Sequence, residues 1–359
     1  MIVKPVTNIE FYTNTCELID QSYTYQCEWH EKQKQKKFTS NPTFVGAFRN
    51  VTAHSLPFLL TDNNLLLSDH VWPLLWKHKH KPHKTHKLWT QWNDKLEINS
   101  PKITKKFSEK NQYVWMPIDE ESSNNAWHFW IDIISRLRLL QHSVSAFKPV
   151  FEYVFVFPNM GPYMKKALGE AFPEMKFIIM PKYEYWHFED LLVPSMSNCD
   201  DGVITPHLAP WINKRWMPKR KTAKRKIFIS RDDAPARQLT NSEELFMALK
   251  GWEKVNLSNM TLLDQIDLFS EATHIMSTHG AGLINTLWAP KDTKVIEITQ
   301  SELINKKPYP ILSMFLRHKH HVILADKVPM TNIHKPKNVK RLKDYNNLKI
   351  DINKVIKFL

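Results

Sequence analysis

The chain has 359 residues, 42% of them apolar, and a formal net charge of +14. That length suits two domains rather than one core, and the charge points to polyanions, anionic membrane surfaces or phosphorylated ligands. Three cysteines, Cys16, Cys27 and Cys199, are odd in number and far apart, which argues against a disulfide framework or a thiolate metal site and fits a reducing compartment. Residues 1 to 20 lack the features of a secretory signal, and no segment offers the roughly 18 unbroken apolar residues of a membrane span. A cytoplasmic chain with no transmembrane segment is therefore expected.

Residues 1–115 read as a β-rich N-terminal region, with short strands at Val45-Gly46-Ala47-Phe48, Leu56 to Leu60 and Leu65-Leu66-Leu67, and a turn at Asp62-Asn63-Asn64. The Lys/His run from Lys77 to Lys87 reads as a solvated loop or edge rather than a metal or nucleic-acid patch. A helix then follows Asn124 or Asn125, either of which can cap it. Trp127, Ile131, Ile134 and Arg138 share one stripe of this helix, and His128, Asp132 and Arg136 stand four apart on a polar face. Those three groups suit either a catalytic corner or an ordinary i,i+4 salt-bridge ladder, and spacing alone favours the ladder.

From Phe151 the pattern is doubly wound α/β. Strands are expected at 151–157, Phe177 to Met180 and Gly202 to Ile204, with a helix around Met164 to Leu168 and a strand or turn near Leu191 to Pro194. Trp211 to Arg225 is rich in lysine and arginine around Pro218 and reads as an exposed linker or crossover into the second half. The pattern restarts at the strand Lys226 to Ser230, followed by the loop Arg231 to Arg237 and a helix from Asn241, where Asn241 and Glu244 form a capping box. A further helix spans Thr261 to Ala272 with Leu262, Ile266 and Phe269 inward. Val322 to Leu324 and Ile350 to Leu359 read as a last strand and a terminal helix.

The most informative stretch is His274 to Asn285, closed by Val295-Ile296-Glu297-Ile298. Residues 274–278 are β-prone, Gly280 and Gly282 permit a tight turn, and Leu283 to Trp288 reads as an apolar helix face. A strand, turn and helix start of this kind aims backbone N–H groups at an anion beyond the carboxyl edge of a sheet. Arg231 and Arg237 lie in another loop at a strand's carboxyl end, where guanidinium forks suit phosphate, or where, with Asp232 and Asp233 nearby, they form a neutral salt-bridged turn.

Together, Trp127 to Asp132 with Arg136-Leu137, Ile229-Ser230-Arg231 with Arg237 and Asn241, Gln265 with Phe269 and Ala272, and His279 to Asn285 with Pro290 and Glu297 resemble the ordered motifs of the DUF563 group, the family 61 glycosyltransferases. The resemblance covers about half the chain. It implies an α/β fold of GT-B type, with two Rossmann-like domains facing across a cleft. The implied division is a β-rich region at 1–115, an acceptor-side domain at 116–215 joined by the N-terminal region and the C-terminal helix, a nucleotide-sugar domain at 216–340, and a terminal helix at 341–359.

The resemblance further implies inverting transfer from a nucleotide-sugar, UDP-linked by expectation, to a hydroxyl of a glycan or glycoconjugate, with no metal or other cofactor. Consistent with this, the sequence contains no Asp-x-Asp, so positive side chains and helix N-termini must neutralise the leaving diphosphate. The expected donor site is Arg231 and Arg237 on the diphosphate, the turn His279, Gly280, Ala281, Gly282, Leu283 and Asn285 beside it, and Glu297 on ribose hydroxyls. The expected base is Asp132, with His128 as the alternative, while Asn241 and Gln265 match family positions but are explained by capping and hydrogen bonding. Peripheral contact with anionic membrane is compatible with the charge. Two alternatives stand beside this reading: a basic nucleic-acid-binding protein and an inactive transferase-like scaffold.

Overall fold

In the computed structural model the described residues are 2–6, 17–27, 36–40, 42–55, 58–61, 65–67, 85–86, 89–92, 95–98, 102–109, 112–118, 122–143, 149–196, 198–199, 203–218, 222–304, 308–328 and 346–359. The chain divides into two compact units, Met1–Tyr23 with Ser40–Asn198, and Thr24–Thr39 with Cys199–Leu359. Both are α/β, the GT-B-like composition expected.

The first unit is built on four parallel strands lying side by side in the order Lys176–Ile179, Val154–Phe157, Tyr113–Trp115 and Tyr185–Pro194. Val154-Phe155-Val156-Phe157 is an unbroken apolar run because a parallel strand is covered on both faces, and Phe155, Val156 and Phe157 are fully buried. The segment near Leu191 to Pro194, expected as a short strand or turn, is the end of the ten-residue strand Tyr185–Pro194. Thr43–His54 pairs antiparallel with that strand from His54 opposite Tyr185 to Val45 opposite Pro194. The sheet then continues through Phe58–Leu60, Leu65–Leu67 and Ile2–Val6, so the β-rich N-terminal region extends the first unit's own sheet. The turn expected at Asp62 to Asn64 lies outside the described residues, as does the Lys77 to Lys87 run except for the short strand Thr85–His86.

The helical segment after Asn125 starts as the sequence indicates, with the Asn125 side chain accepting from the Trp127 N–H. It departs from the expected α-helix at Phe129–Ile134, which is π-helical, before α-helix resumes over Ser135–His142. Phe129 to Leu140 is buried all round, so the expected polar face is no solvated ladder. Arg138 instead forms a buried fork on Asp20, at 2.7 and 3.0 Å, and Thr43 donates to the same carboxylate at 2.7 Å.

The second unit holds a five-stranded sheet in the order Glu253–Val255, Arg225–Ile229, Ala272–Thr278, Lys294–Thr299 and Lys319–Leu324, parallel throughout. Numbered along the chain this is order 2-1-3-4-5, which reverses direction between Arg225–Ile229 and Ala272–Thr278. In open α/β sheets a ligand crevice opens at that reversal, beyond the carboxyl ends of the two strands.

Two elements differ from expectation. Trp211 to Arg225 is not one exposed linker, because Leu208–Trp216 is a helix whose Leu208, Ala209 and Ile212 form a buried face, and Arg225 begins a strand. The Asn241–Glu244 capping box is absent. The Asn241 side chain turns to the C-terminal segment instead, accepting from the Ile350 N–H at 3.1 Å and donating to the Ile350 carbonyl at 2.9 Å. The capping box of this unit is Thr261 with Asp264, at the start of the helix Leu262–Ser270, whose Leu262, Ile266 and Phe269 are buried. The terminal helix, Ile352–Ile356, contributes Val355 to the second unit's core beside Phe228, Leu239 and Ile296. An N-terminal hairpin, Thr24–Cys27 with Lys36–Thr39, also belongs to this unit: Tyr25 donates to the Ile204 carbonyl at 3.3 Å and packs edge-on against Phe315.

Candidate functional site

In the second unit, strand Arg225–Ile229 delivers Ser230 and Arg231 to the crevice, and the neighbouring strand Ala272–Thr278 delivers His279 and Gly280. The loop after the first strand is braced from inside. Gln238 donates to the carbonyls of Asp232 and Ala234, at 2.9 and 2.8 Å, while the Ser230 hydroxyl accepts from the Asp232 N–H at 3.2 Å. Arg237 closes the loop with φ of 58°, a left-handed conformation uncommon for a side-chain-bearing residue. The Thr278 hydroxyl donates to its carbonyl at 2.9 Å, which ties the loop to the second strand. Arg237 is thus held in its unfavourable backbone geometry by its neighbours, a pattern concentrated at functional positions.

Arg231 passes directly over Gly280. A β-carbon on Gly280 would stand 2.1 Å from Arg231 Nη1, so only glycine lets the guanidinium occupy this place. Arg231 donates to the Ala236 carbonyl at 3.3 Å, whereas the Nε atoms of both Arg231 and Arg237 are buried with no hydrogen-bond partner among the described residues. Burial first, and then the neighbouring Arg237 charge, lowers the Arg231 guanidinium to about 10. Two mutually repelling guanidiniums thus stand together at this strand end, a donor set whose geometry suits an anionic group.

The turn beyond Gly280 starts a 3₁₀ helix, Ala281–Trp288. The His279 N–H is bonded to the Ile298 carbonyl and the Leu283 N–H to the Gly280 carbonyl. Those of Ala281 and Gly282 stand at the helix start, where no intrahelical acceptor exists. Leu283 is fully buried and serves packing. Asn285 is also directed inward, donating to Gln265 Oε1 at 3.0 Å and the Gly282 carbonyl at 3.1 Å, which holds the turn against the helix Leu262–Ser270.

Glu297 is 2% exposed and each of its oxygens already holds a histidine nitrogen: His279 Nδ1 on Oε1, and His320 Nε2 on Oε2 at 2.9 Å. Burial works to raise this carboxyl, but His279 and then His320 outweigh it and hold the group at about 2. Sequence reasoning places Glu297 on ribose hydroxyls, and in the fold both of its oxygens are engaged by these two rings. The Tyr309 ring stands edge-on to His279 at 5.3 Å between centroids. Sequence reasoning missed His320, Tyr309 and Gln238. His320 was visible only as one of several histidines in His318 to His321, and nothing local ties it to Glu297.

In the first unit, His128 Nδ1 and Asp132 Oδ2 are 2.6 Å apart, with side-chain exposures of 32% and 2%. Arg136, on the following turn, donates to the Pro117 carbonyl at 2.7 Å. An Asp that fixes one histidine nitrogen while the ring remains accessible is the arrangement of a general base and its orienting carboxylate. It sits on a π-helical turn, a distortion frequent at functional sites. Among the described residues there is no group of three or more His, Cys, Asp or Glu placed to hold a metal ion, and no helix long and apolar enough to cross a membrane.

A family model described as Glycosyltransferase 61 matches residues 126–296. This stretch runs from the helical segment of His128 and Asp132 to Ile296, the residue before Glu297 in the strand Lys294–Thr299. A beta-1,2-xylosyltransferase of Oryza sativa subsp. japonica, RCN11, is 28% identical over 116 residues, or 27% of this chain. The chain spans 22% of the length of that curated relative.

Proposed function

We propose, from the premise that this chain is a family 61 glycosyltransferase by its residues 126–296, that it moves a sugar with inversion from a nucleoside-diphosphate sugar to a hydroxyl of a glycan or glycoconjugate. The observation that carries the donor half is the Arg231–Arg237 pair at the reversal point of the five-stranded sheet, with both Nε donors unpaired among the described residues. A diphosphate supplies the missing negative charge, and the N–H groups of Ala281 and Gly282 at a helix start complete its cradle. The two guanidiniums stabilise the leaving group as the bond between anomeric carbon and phosphate oxygen breaks, so this scheme contains no metal. A uridine nucleotide is the donor we test first. The similarity to a plant xylosyltransferase makes a pentose donor one member of the panel.

For the acceptor half we assign proton removal to the His128–Asp132 pair. The exposures of 32% and 2% favour His128 as the group that takes the hydroxyl proton while Asp132 orients its ring, although the sequence alone favours Asp132. The acceptor oxygen then bonds to the anomeric carbon on the face opposite the departing diphosphate. A cytoplasmic setting with peripheral contact to anionic membrane belongs to this reading and rests on the charge of +14 and the three scattered cysteines.

Calorimetry with uridine diphosphate tests the donor half: wild type binds and Arg231→Ala binds at least about tenfold more weakly, since a hydrogen bond to a charged group contributes roughly 1.5–3 kcal/mol. Equal affinity in the two proteins removes Arg231 from the site. For the acceptor half, His128→Ala lowers transfer by about 10²–10⁴ while nucleotide binding is retained. Full transfer by that variant removes His128 as the base.

A further inference from the structure

A carboxylate as buried as Glu297, at 2% exposure, needs a donor on each oxygen. His279 serves Oε1 and His320 serves Oε2. An ionised carboxylate only accepts, so each ring must present an N–H to it. Neutral His279 then carries its proton on Nδ1 and its lone pair on Nε2. That Nε2 has no hydrogen bond from the described residues, although the His279 side chain is only 11% exposed. His320 is anchored in turn: its Nδ1 lies 2.8 Å from the Ser313 hydroxyl, on the helix Pro308–Leu316, and its side chain is 6% exposed.

We propose that His320 is a positioning residue which, through Glu297, fixes His279 as the Nδ1–H tautomer and so leaves Nε2 as the acceptor for a ligand hydroxyl in the donor site. The tautomer follows from contacts within the second unit; the ligand hydroxyl rests on the nucleotide-sugar reading. His279 alone does not suffice, because without His320 a buried oxygen of Glu297 loses its donor. The carboxylate then gains a proton to lower its desolvation cost. A protonated carboxyl donates, so His279 Nδ1 becomes the acceptor and the ring proton moves to Nε2. The relay is a second support behind a binding group, the kind of interaction that sets which nitrogen of a histidine is active.

Nitrogen-15 spectra of the full chain labelled in histidine test this. Wild type is expected to show His279 with Nδ1 protonated and Nε2 bare. His320→Leu is expected to reverse that assignment, and His320→Gln, which keeps an N–H toward Oε2, is expected to restore the wild-type pattern. Nε2–H in wild type or in the glutamine variant overturns the proposal, as does Nδ1–H persisting in His320→Leu. If the leucine variant does not fold, wild type and His320→Gln still decide the matter. Titration with uridine diphosphate separates this inference from the donor reading. Binding weakened by up to about tenfold in His320→Leu, the loss of one hydrogen bond, supports the ligand role, and unchanged binding removes it. Wild type with the expected tautomer and no binding of uridine diphosphate leaves the positioning role intact and removes a uridine nucleotide as the donor.

Discussion

At the scale of single residues, Gly280 and Gly282 look alike in sequence and differ in what surrounds them. An added β-carbon at Gly280 meets the Arg231 guanidinium at 2.1 Å, the far end of a flexible side chain, whereas at Gly282 it meets Leu257 Cδ1 at 3.0 Å and Ile229 Cγ2 at 3.4 Å. Gly280→Ala is therefore expected to push Arg231 out of place, abolishing nucleoside-diphosphate binding with a midpoint of unfolding close to wild type. Gly282→Ala should instead cost stability, about 1–3 kcal/mol for overpacking, with weaker loss of binding. Paired calorimetry and urea unfolding of the two variants check this, and a Gly280→Ala protein that binds normally contradicts the placement of Arg231.

Elements are held together here by a few buried polar ties rather than by apolar packing alone. The Asp20–Arg138 pair, with side chains 4% and 9% exposed, links the strand Glu17–Asp20 to the helix Ser135–His142. Removing one partner leaves a buried charge uncompensated, so Asp20→Ala is expected to destabilise the first unit by about 3–5 kcal/mol, with part of the loss recovered in Asp20→Ala/Arg138→Leu. In the second unit, Asn241 joins the helix Ser242–Ala248 to the C-terminal segment through both polar groups of Ile350. Asn241→Ala should cost about 1–3 kcal/mol and speed amide exchange at Ile350. Unchanged exchange there would mean that packing of Val355 and its neighbours suffices to hold the segment.

For the whole molecule, pH reports the buried relay. Glu297 lies at about 2 in the folded chain against 4.5 unperturbed. A folded value below the unfolded one contributes stability that is complete above about 4.5 and is lost as pH falls toward 2. Urea unfolding across that acid window should show a steeper loss for wild type than for Glu297→Gln, and equal slopes would contradict the ionised carboxylate. The opposite charge works elsewhere in the same unit: Arg231, lowered to about 10 by burial and by Arg237, disfavours the folded state while charged. On the donor reading proposed above, a diphosphate would offset that repulsion, and any nucleotide that binds only the folded chain, at 100 times its dissociation constant, should stabilise it by about 2.7 kcal/mol.

Local chemistry made much of this legible without coordinates. Unbroken apolar runs such as Val154 to Phe157 mark parallel strands because both their faces are covered. The glycine-bearing turn at His279 to Gly282 marks a strand-to-helix junction because few residues tolerate its crowding, and Arg231 follows a strand's carboxyl end, as the sequence pattern indicates. Long-range pairing was not legible. That Asn241 serves Ile350 rather than capping its own helix, that Glu297 is taken up by His279 and His320, and that Arg231 rests on Gly280 each depend on residues 18 to 109 positions apart. Sequence determines which groups are able to donate, accept or pack. Which of them meet is decided by the strand order 2-1-3-4-5, since it alone brings the ends of Arg225–Ile229 and Ala272–Thr278 together.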